Sequence, residues 1–225
     1  VNNIEYPKIE CPFVRDDITH KLRQGEWRTG ELLSLAASSW IWTEQIDGTN
    51  IRVHFDGGAV SFHGRTETSD IPKVLLEVLG EKFTGCGMEE AFPQRHPEYD
   101  GGSADCPEEI LLPHVTLYGE GFGPKVQKGG GNYGLKQDFI LFDVRIGDKW
   151  LDWKNVQLIA EQLDINHVPS VWNGTIYEAV QRVRYGLQSS FGDFPVEGLV
   201  LRHSTNVYDW KGRPMRCKIK SRDFQ

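Results

Sequence analysis

The chain has 225 residues, with 25 Lys and Arg against 32 Asp and Glu, a net charge of -7 and 39% hydrophobic residues. This length and balance suit one ordinary globular domain, or a domain and a half, with a substantial core, and they exclude disorder. The acidic total weighs against extended, non-specific duplex binding but leaves room for a focused phosphate site: from Lys211 onward, Lys211, Arg213, Arg216, Lys218, Lys220 and Arg222 meet only one acid, Asp223.

Segments rich in β-branched and aromatic residues predict strands at 39–44, 49–55 and 59–64, with Asp56-Gly57-Gly58 as the hairpin turn between the last two. Val74, Leu75, Val78 and Leu79 place one apolar face on a helix over 71–83, with Ser69 or Asp70 as its cap. Residues 85–113, rich in glycine, proline and acids, read as a loop. Strands follow at 115–119 and 138–146. Between them lies a second loop, 124–134, whose Gly129-Gly130-Gly131 lacks the Gly-Lys-Ser/Thr ending of a P-loop and reads as a flexible surface loop near the functional site rather than a phosphate cradle. A helix from Asp152 carries Val156, Ile159, Ala160 and Leu163; another from Thr175 carries Ile176, Ala179, Val180, Val183 and Leu187. Both stripes are structural. Strands at 196–202 and 214–220 complete the series. The elements lack a βαβ rhythm, so the class is α+β, with mainly antiparallel sheets flanked by helices in one domain over 1–225.

Cys11, Cys86, Cys106 and Cys217 are scattered without a Cys-x-x-Cys pair, and Cys86, His96, Cys106 and His114 lack a zinc-ligand spacing. Free thiols in a reducing compartment are expected. No apolar run is long enough for a bilayer and the start is not signal-like, so a soluble, cytoplasmic protein without a membrane role is predicted.

The chemistry-bearing segments occur in a fixed order. Thr43-Glu44-Gln45-Ile46-Asp47-Gly48-Thr49-Asn50 comes first, then His63-Gly64-Arg65-Thr66 and Leu117-Tyr118-Gly119-Glu120-Gly121. Phe139-Ile140-Leu141-Phe142-Asp143-Val144, then Val196-Glu197-Gly198-Leu199-Val200-Leu201-Arg202, then Cys217-Lys218-Ile219-Lys220 follow. Phosphoryl transfer needs cations at the α-phosphate, acids to place a divalent metal, polar groups for the sugar and an aromatic face for the base. All four kinds are present. On a strand, Arg216, Lys218 and Lys220 form one cationic row roughly 6–7 Å apart, with Met215, Cys217 and Ile219 on the core side.

This ordered set, spanning residues 43–220, resembles that of the covalent nucleotidyltransferases, which include DNA ligases, RNA ligases and mRNA capping enzymes. Asn50 and Gly64-Arg65-Thr66 are most similar to the RNA ligase 2 group of ATP-dependent RNA ligases. The resemblance implies a nucleotidyltransferase (ATP-grasp-like adenylyltransferase) fold that joins 3′-OH and 5′-phosphate RNA ends through lysyl-AMP and RNA-adenylate, using ATP and Mg2+ or Mn2+. RNA and ATP are the implied partners, with no obligatory protein partner. It implies that Lys218 and Lys220 contact the α-phosphate or the bridging oxygen, and that Asp47, Glu120 and Glu197 place the metal through water, Glu120 also reaching the ribose. It further implies that Phe142 stacks on the purine, Glu44 meets the adenine edge, Arg65 contacts the sugar or the acceptor 5′-phosphate, and Asn50 serves sealing. His63 is assigned to packing, and Arg202 to either the site or an ion pair.

One position departs from the pattern. The family segment reads Lys-x-Asp-Gly-Thr-Asn, and Gln45 stands where the attacking lysine belongs. An amide nitrogen, its lone pair delocalised, cannot attack phosphorus as an amine does, so an inactive form is expected. An introduced change, a natural loss of the nucleophile and a shifted alignment are the possible origins; the intact remaining motifs favour the first. The alternatives to a ligase of this group are a catalytically dead ATP or nucleic-acid binding module and a DNA ligase or capping-type enzyme. The chain stops soon after Lys220, so no carboxy-terminal accessory domain is expected, whether the chain is a minimal ligase or a shortened one.

Overall fold

The computed structural model describes residues 5–92 and 114–224. In chain order its elements are β1 (Phe13–Arg15), β2 (Leu22–Trp27), α1 (Gly30–Ser34), β3 (Trp40–Glu44), β4 (Thr49–Phe55), β5 (Val60–His63), α2 (Lys73–Lys82), α3 (Gly85–Ala91) and β6 (Val115–Phe122). Then come β7 (Asp138–Ile146), β8 (Lys149–Trp150), α4 (Trp153–Gln162), β9 (Asn166–His167), β10 (Ser170–Gly174), α5 (Ile176–Arg184), β11 (Gly198–His203) and β12 (Arg216–Lys220). The described residues form two compact units, the first built from 50–121 and 138–167, the second from 5–49, 122–137 and 168–224.

The first unit is a sheet in the order β5-β4-β6-β7-β8, with β9 added parallel to β7. The expected hairpin is present: Phe55 pairs with Val60, Asp56 Oδ1 accepts from Ala59 N at 3.0 Å, and Gly57 takes φ +92°, a left-handed conformation open to glycine. Helices α2 and α4 both pack on β7, which explains why Phe139–Leu141 and Asp143–Val144 are buried rather than alternating. Leu75 and Leu79, one turn apart, form the buried face of α2, whereas Val74, about 100° around the helix, is exposed and does not belong to that face. The cap also differs from expectation. Ser69 Oγ bonds Thr66 N and Thr66 Oγ1 instead, and the helix starts after Pro72 without a side-chain cap.

Residues 85–91, read as loop, are the helix α3. Gly85 and Gly87 argue against a helix, but Thr84 Oγ1 caps Gly87 N at 3.2 Å and Met88 and Ala91 are buried, so tertiary burial overrides propensity. The remainder of that loop, from 93 to 113, lies outside the described residues, as do His96 and Cys106 of the rejected zinc set. Among the described residues Cys11, Cys86 and Cys217 are free thiols, and no three His, Cys, Asp or Glu cluster closely enough to hold a metal. No described helix is long and apolar enough to cross a membrane. Helix α4 starts as expected, with Asp152 Oδ1 accepting from Asn155 N at 2.8 Å.

The second unit holds a four-stranded antiparallel sheet, β10-β3-β11-β12, and the pair β1-β2. Helix α5 covers β11 and β12, and Ile176, Ala179, Val180 and Val183 meet Leu199, Leu201, Cys217 and Ile219 in one core with Trp40 and Trp42. Its start is a capping box: Glu178 N bonds Thr175 Oγ1, and Glu178 Oε2 accepts from Thr175 N. Strands β1, β2 and β10 were not expected. In β2 the four middle residues are exposed and only the ends are half-buried, so the segment carries no apolar alternation to read.

Candidate functional site: two sets of motif residues

In the second unit, strand register decides which motif side chains share a face. Residues opposite one another in an antiparallel ladder point the same way. Thr43 pairs with Val200 and Val200 with Lys218; Gly198 pairs with Lys220, and Gln45 N continues the ladder to Gly198 O at 2.9 Å. Gln45, Lys218 and Lys220 therefore lie on one face of β3-β11-β12. Met215, Cys217 and Ile219 are buried on the other, as the alternation predicts.

The cationic row is not a solvated edge. Lys220 Nζ donates to Glu197 Oε1 at 2.6 Å, so two residues assigned to the site hold each other. Lys218 N bonds Glu10 O at 2.9 Å, and the Lys218 charge contributes to a lowered Glu10 pKa whose main cause is the Lys8 hydrogen bond. Arg216 Nη1 donates to Tyr6 Oη at 2.7 Å, its guanidinium 5.7 Å from the Tyr6 ring centroid. Arg202 is buried and lies opposite Arg216. Gln45 Oε1 is buried and has no hydrogen-bond partner among the described residues.

Glu44 takes the opposite direction from Gln45. It pairs with Leu199 on the core face and is 1% exposed, with Ser189 Oγ donating at 2.5 Å and Ser190 N at 2.9 Å to its two oxygens. The carboxylate thus holds the 189–190 turn from below the face that carries Gln45.

Asp47, in the bend between β3 and β4, accepts from Gly129 N through Oδ2 at 2.8 Å. The glycine run thus grips the motif aspartate through Gly129. A Cβ on Gly129 would sit 2.5 Å from Asp47 Oδ2, so the approach depends on glycine. Tyr133, packed edge-on against Phe122, Phe191 and Phe194, closes the same loop over Asp47. Burial pushes its phenol up to about 12, against the Asp47 backbone hydrogen bond, and the Glu44, Glu197 and Asp47 charges add to the rise. It stays neutral at ordinary pH.

In the first unit, Glu120 and Phe142 are each half-buried members of otherwise buried stretches of β6 and β7. Glycines flank Glu120 for packing reasons: a Cβ on Gly119 would lie 2.1 Å from Phe139 Cζ, and one on Gly121 would lie 2.4 Å from Leu75 Cδ2. The strand thus approaches its neighbours closely on both sides of the one acid. Arg65 is exposed on the turn after β5, and that turn is fixed by a residue the sequence reading missed. Arg52, fully buried, donates through Nε to Gly64 O at 2.8 Å and reaches Glu67 Oε1 at 3.2 Å. His63 Nε2 shares a hydrogen bond with Ser61 Oγ at 3.1 Å. Asn50 Oδ1 is a second buried acceptor without a partner among the described residues.

The chain is similar in structure to Naegleria gruberi RNA ligase, in a mutant form with ATP and Mn, at a TM-score of 0.67 and 16% identity over 98% of this chain and 56% of that one. A second mutant with ATP and Mn gives 0.63 and 17% over 97% and 63%, and the form with PPi gives 0.61 and 17% over 97% and 62%. These similarities establish the nucleotidyltransferase fold; the chain spans less than two thirds of that ligase. No curated protein sequence matches. The sequence profile of the family described as RNA ligase matches residues 38–220, and this chain belongs to the RNA ligase family.

Proposed function

We propose that this chain is the adenylyltransferase domain of an ATP-dependent RNA ligase that joins 3′-OH and 5′-phosphate ends, held before chemistry by Gln45. The observation that carries the reading is the register of β3-β11-β12, which sets Gln45 on one face with Lys218 and Lys220. That placement favours a correct alignment of Gln45 with the family's nucleophile. A purely structural basic strand would have no reason to share its face with a buried amide oxygen that has no partner among the described residues.

In a family member with lysine at this position, the amine attacks the α-phosphorus of ATP, a P–N bond forms, and the P–O bond to pyrophosphate breaks. Lys218 and Lys220 offset the charge that builds on the phosphate oxygens, and Glu197 fixes the Lys220 ammonium. Phe142 stacks on the purine, Glu120 reaches the ribose, Arg65 takes sugar or acceptor phosphate, and Asn50 acts in sealing. Glu44 contributes by holding Ser189 and Ser190, so an adenine-edge contact falls to that turn or shares its carboxylate. A magnesium or manganese ion supplies further positive charge at the phosphates when bound. The resemblance assigns Asp47, Glu120 and Glu197 to holding it through water, which suits a hard cation that keeps its hydration shell.

Two outcomes test this. With Gln45 in place, the chain is expected to bind ATP with magnesium in calorimetry while its intact mass stays unchanged. Absence of binding at millimolar ATP, or a mass gain equal to AMP, would overturn it. In a Gln45→Lys background, Gly129→Ala is expected to displace the Asp47 carboxylate and slow adenylylation on the order of 10- to 100-fold. An unchanged rate would show that the glycine loop does not position Asp47 for chemistry.

A further inference from the structure

The second unit carries an aromatic groove on the opposite face of β3 from Gln45. Strand β10 is the outer strand of its sheet, and α5 covers β11 and β12. Trp172 of β10 lies in register with Trp42, so both indoles occupy the α5 side. Trp42 is buried and fixed, its Nε1 donating to Gly174 O at 3.2 Å, and forms the floor. Trp172 remains 59% exposed, and Tyr177 and Tyr185 of the α5 side are 50% and 84% exposed. These rings border an open groove of about 320 Å³. That volume is at the low end of the roughly 300–1,000 Å³ typical of small-molecule sites and admits a base with its sugar.

The charged groups at the rim are arranged unequally. The Arg182 guanidinium sits 5.5 Å from the Trp172 ring centroid. Glu178, one turn earlier, is committed to Thr175, whose N and Oγ1 both donate to its Oε2 at 2.8 Å. An anion therefore finds its partner at the Arg182 end, beside the exposed indole. Flat π-faces next to a guanidinium, with Gln181 adding donors and acceptors, suit an unstacked base followed by a phosphate.

We propose that this groove is a stacking site for an unpaired nucleobase of single-stranded RNA, with Arg182 taking the adjoining phosphate. The choice of RNA rests on the ligase reading; within the second unit the groove lies on the opposite face of β3 from Gln45, Lys218 and Lys220. Such a site would hold a strand of the RNA to be joined.

The test is fluorescence anisotropy of a labelled 20-nucleotide oligouridine titrated with the chain, alongside calorimetry with ATP and magnesium. Trp172→Ala and Arg182→Ala are each expected to weaken oligouridine binding on the order of 10-fold. Trp172→Phe is expected to retain most affinity, and Lys154→Ala, on the exposed side of α4, to change nothing. Because Arg182 is exposed, Arg182→Glu tests the groove without threatening the fold, and is expected to reduce binding further. ATP affinity should be the same in every variant. Oligouridine affinity unaltered by Trp172→Ala and Arg182→Glu would overturn the groove while leaving the ligase reading intact. So would a dimer that these variants convert to monomer, which would make the face an interface between copies. Loss of ATP binding in the unmodified chain, with groove-dependent oligouridine binding preserved, would instead count against the ligase reading.

Discussion

Gln45→Lys is expected to turn a chain that leaves ATP intact into one that acquires AMP covalently, read as a mass gain equal to AMP on the intact protein. The rest of the second-unit set is in place: Lys220 is held by Glu197, and Asp47 by Gly129. A lysine at 45 would share its face with Lys218 and Lys220. Neighbouring cations favour the uncharged amine, so the new lysine should have a pKa below that of a free lysine, and its nucleophilic fraction at a given pH should be larger. The adenylylation rate should therefore rise with pH and level off once that lowered pKa is passed. The change is from no detectable adduct to a substantial fraction of the chains. If no adduct forms with either magnesium or manganese, the position is not that of the nucleophile and the ligase reading loses its main support.

What was legible in the sequence was whatever depends on alternation along one strand. Met215, Cys217 and Ile219 could be assigned to the core, and Lys218 and Lys220 to the other face, because period two needs no knowledge of neighbours. The helix starts at Asp152 and Thr175 were equally local, since each is a short polar side chain three residues before the backbone donor it caps. The partners of the site residues were not legible. Glu10 and Tyr6 meet the basic strand from the start of the chain, Ser189 and Ser190 reach Glu44 from far along it, and Gly129 grips Asp47 across the long separation between two motifs. Arg52 was invisible as a support for the Arg65 turn, since an arginine inside a strand ordinarily reads as a solvated group rather than a buried one. Glu44 and Gln45 are adjacent, so alternation alone puts them on opposite faces, but which of the two faces the core is shown only by the pairing of Glu44 with Leu199.

In the Gln45→Lys background, Glu197→Ala and Lys218→Ala are each expected to slow adenylylation by on the order of 100-fold or more, as removing one preorganised charge from a phosphoryl-transfer site does. The two losses should differ in kind. Glu197→Ala removes the acceptor 2.6 Å from Lys220 Nζ, so the ammonium loses its fixed direction as well as the acid assigned to the metal. Glu197→Gln keeps an oxygen for that hydrogen bond and should recover part of the rate if orientation of Lys220 dominates, but little if the negative charge does. Lys218→Ala leaves the Glu197–Lys220 pair untouched, so it should act on the reaction rate without disturbing the fold of the β11-β12 end. Lys154→Ala, an exposed change on α4, serves as the control. Labelled AMP incorporation under single-turnover conditions gives the rates, and thermal unfolding separates them from stability. Near-normal rates in both Glu197→Ala and Lys218→Ala would mean that the face shared by Gln45, Lys218 and Lys220 is not where the phosphate is handled.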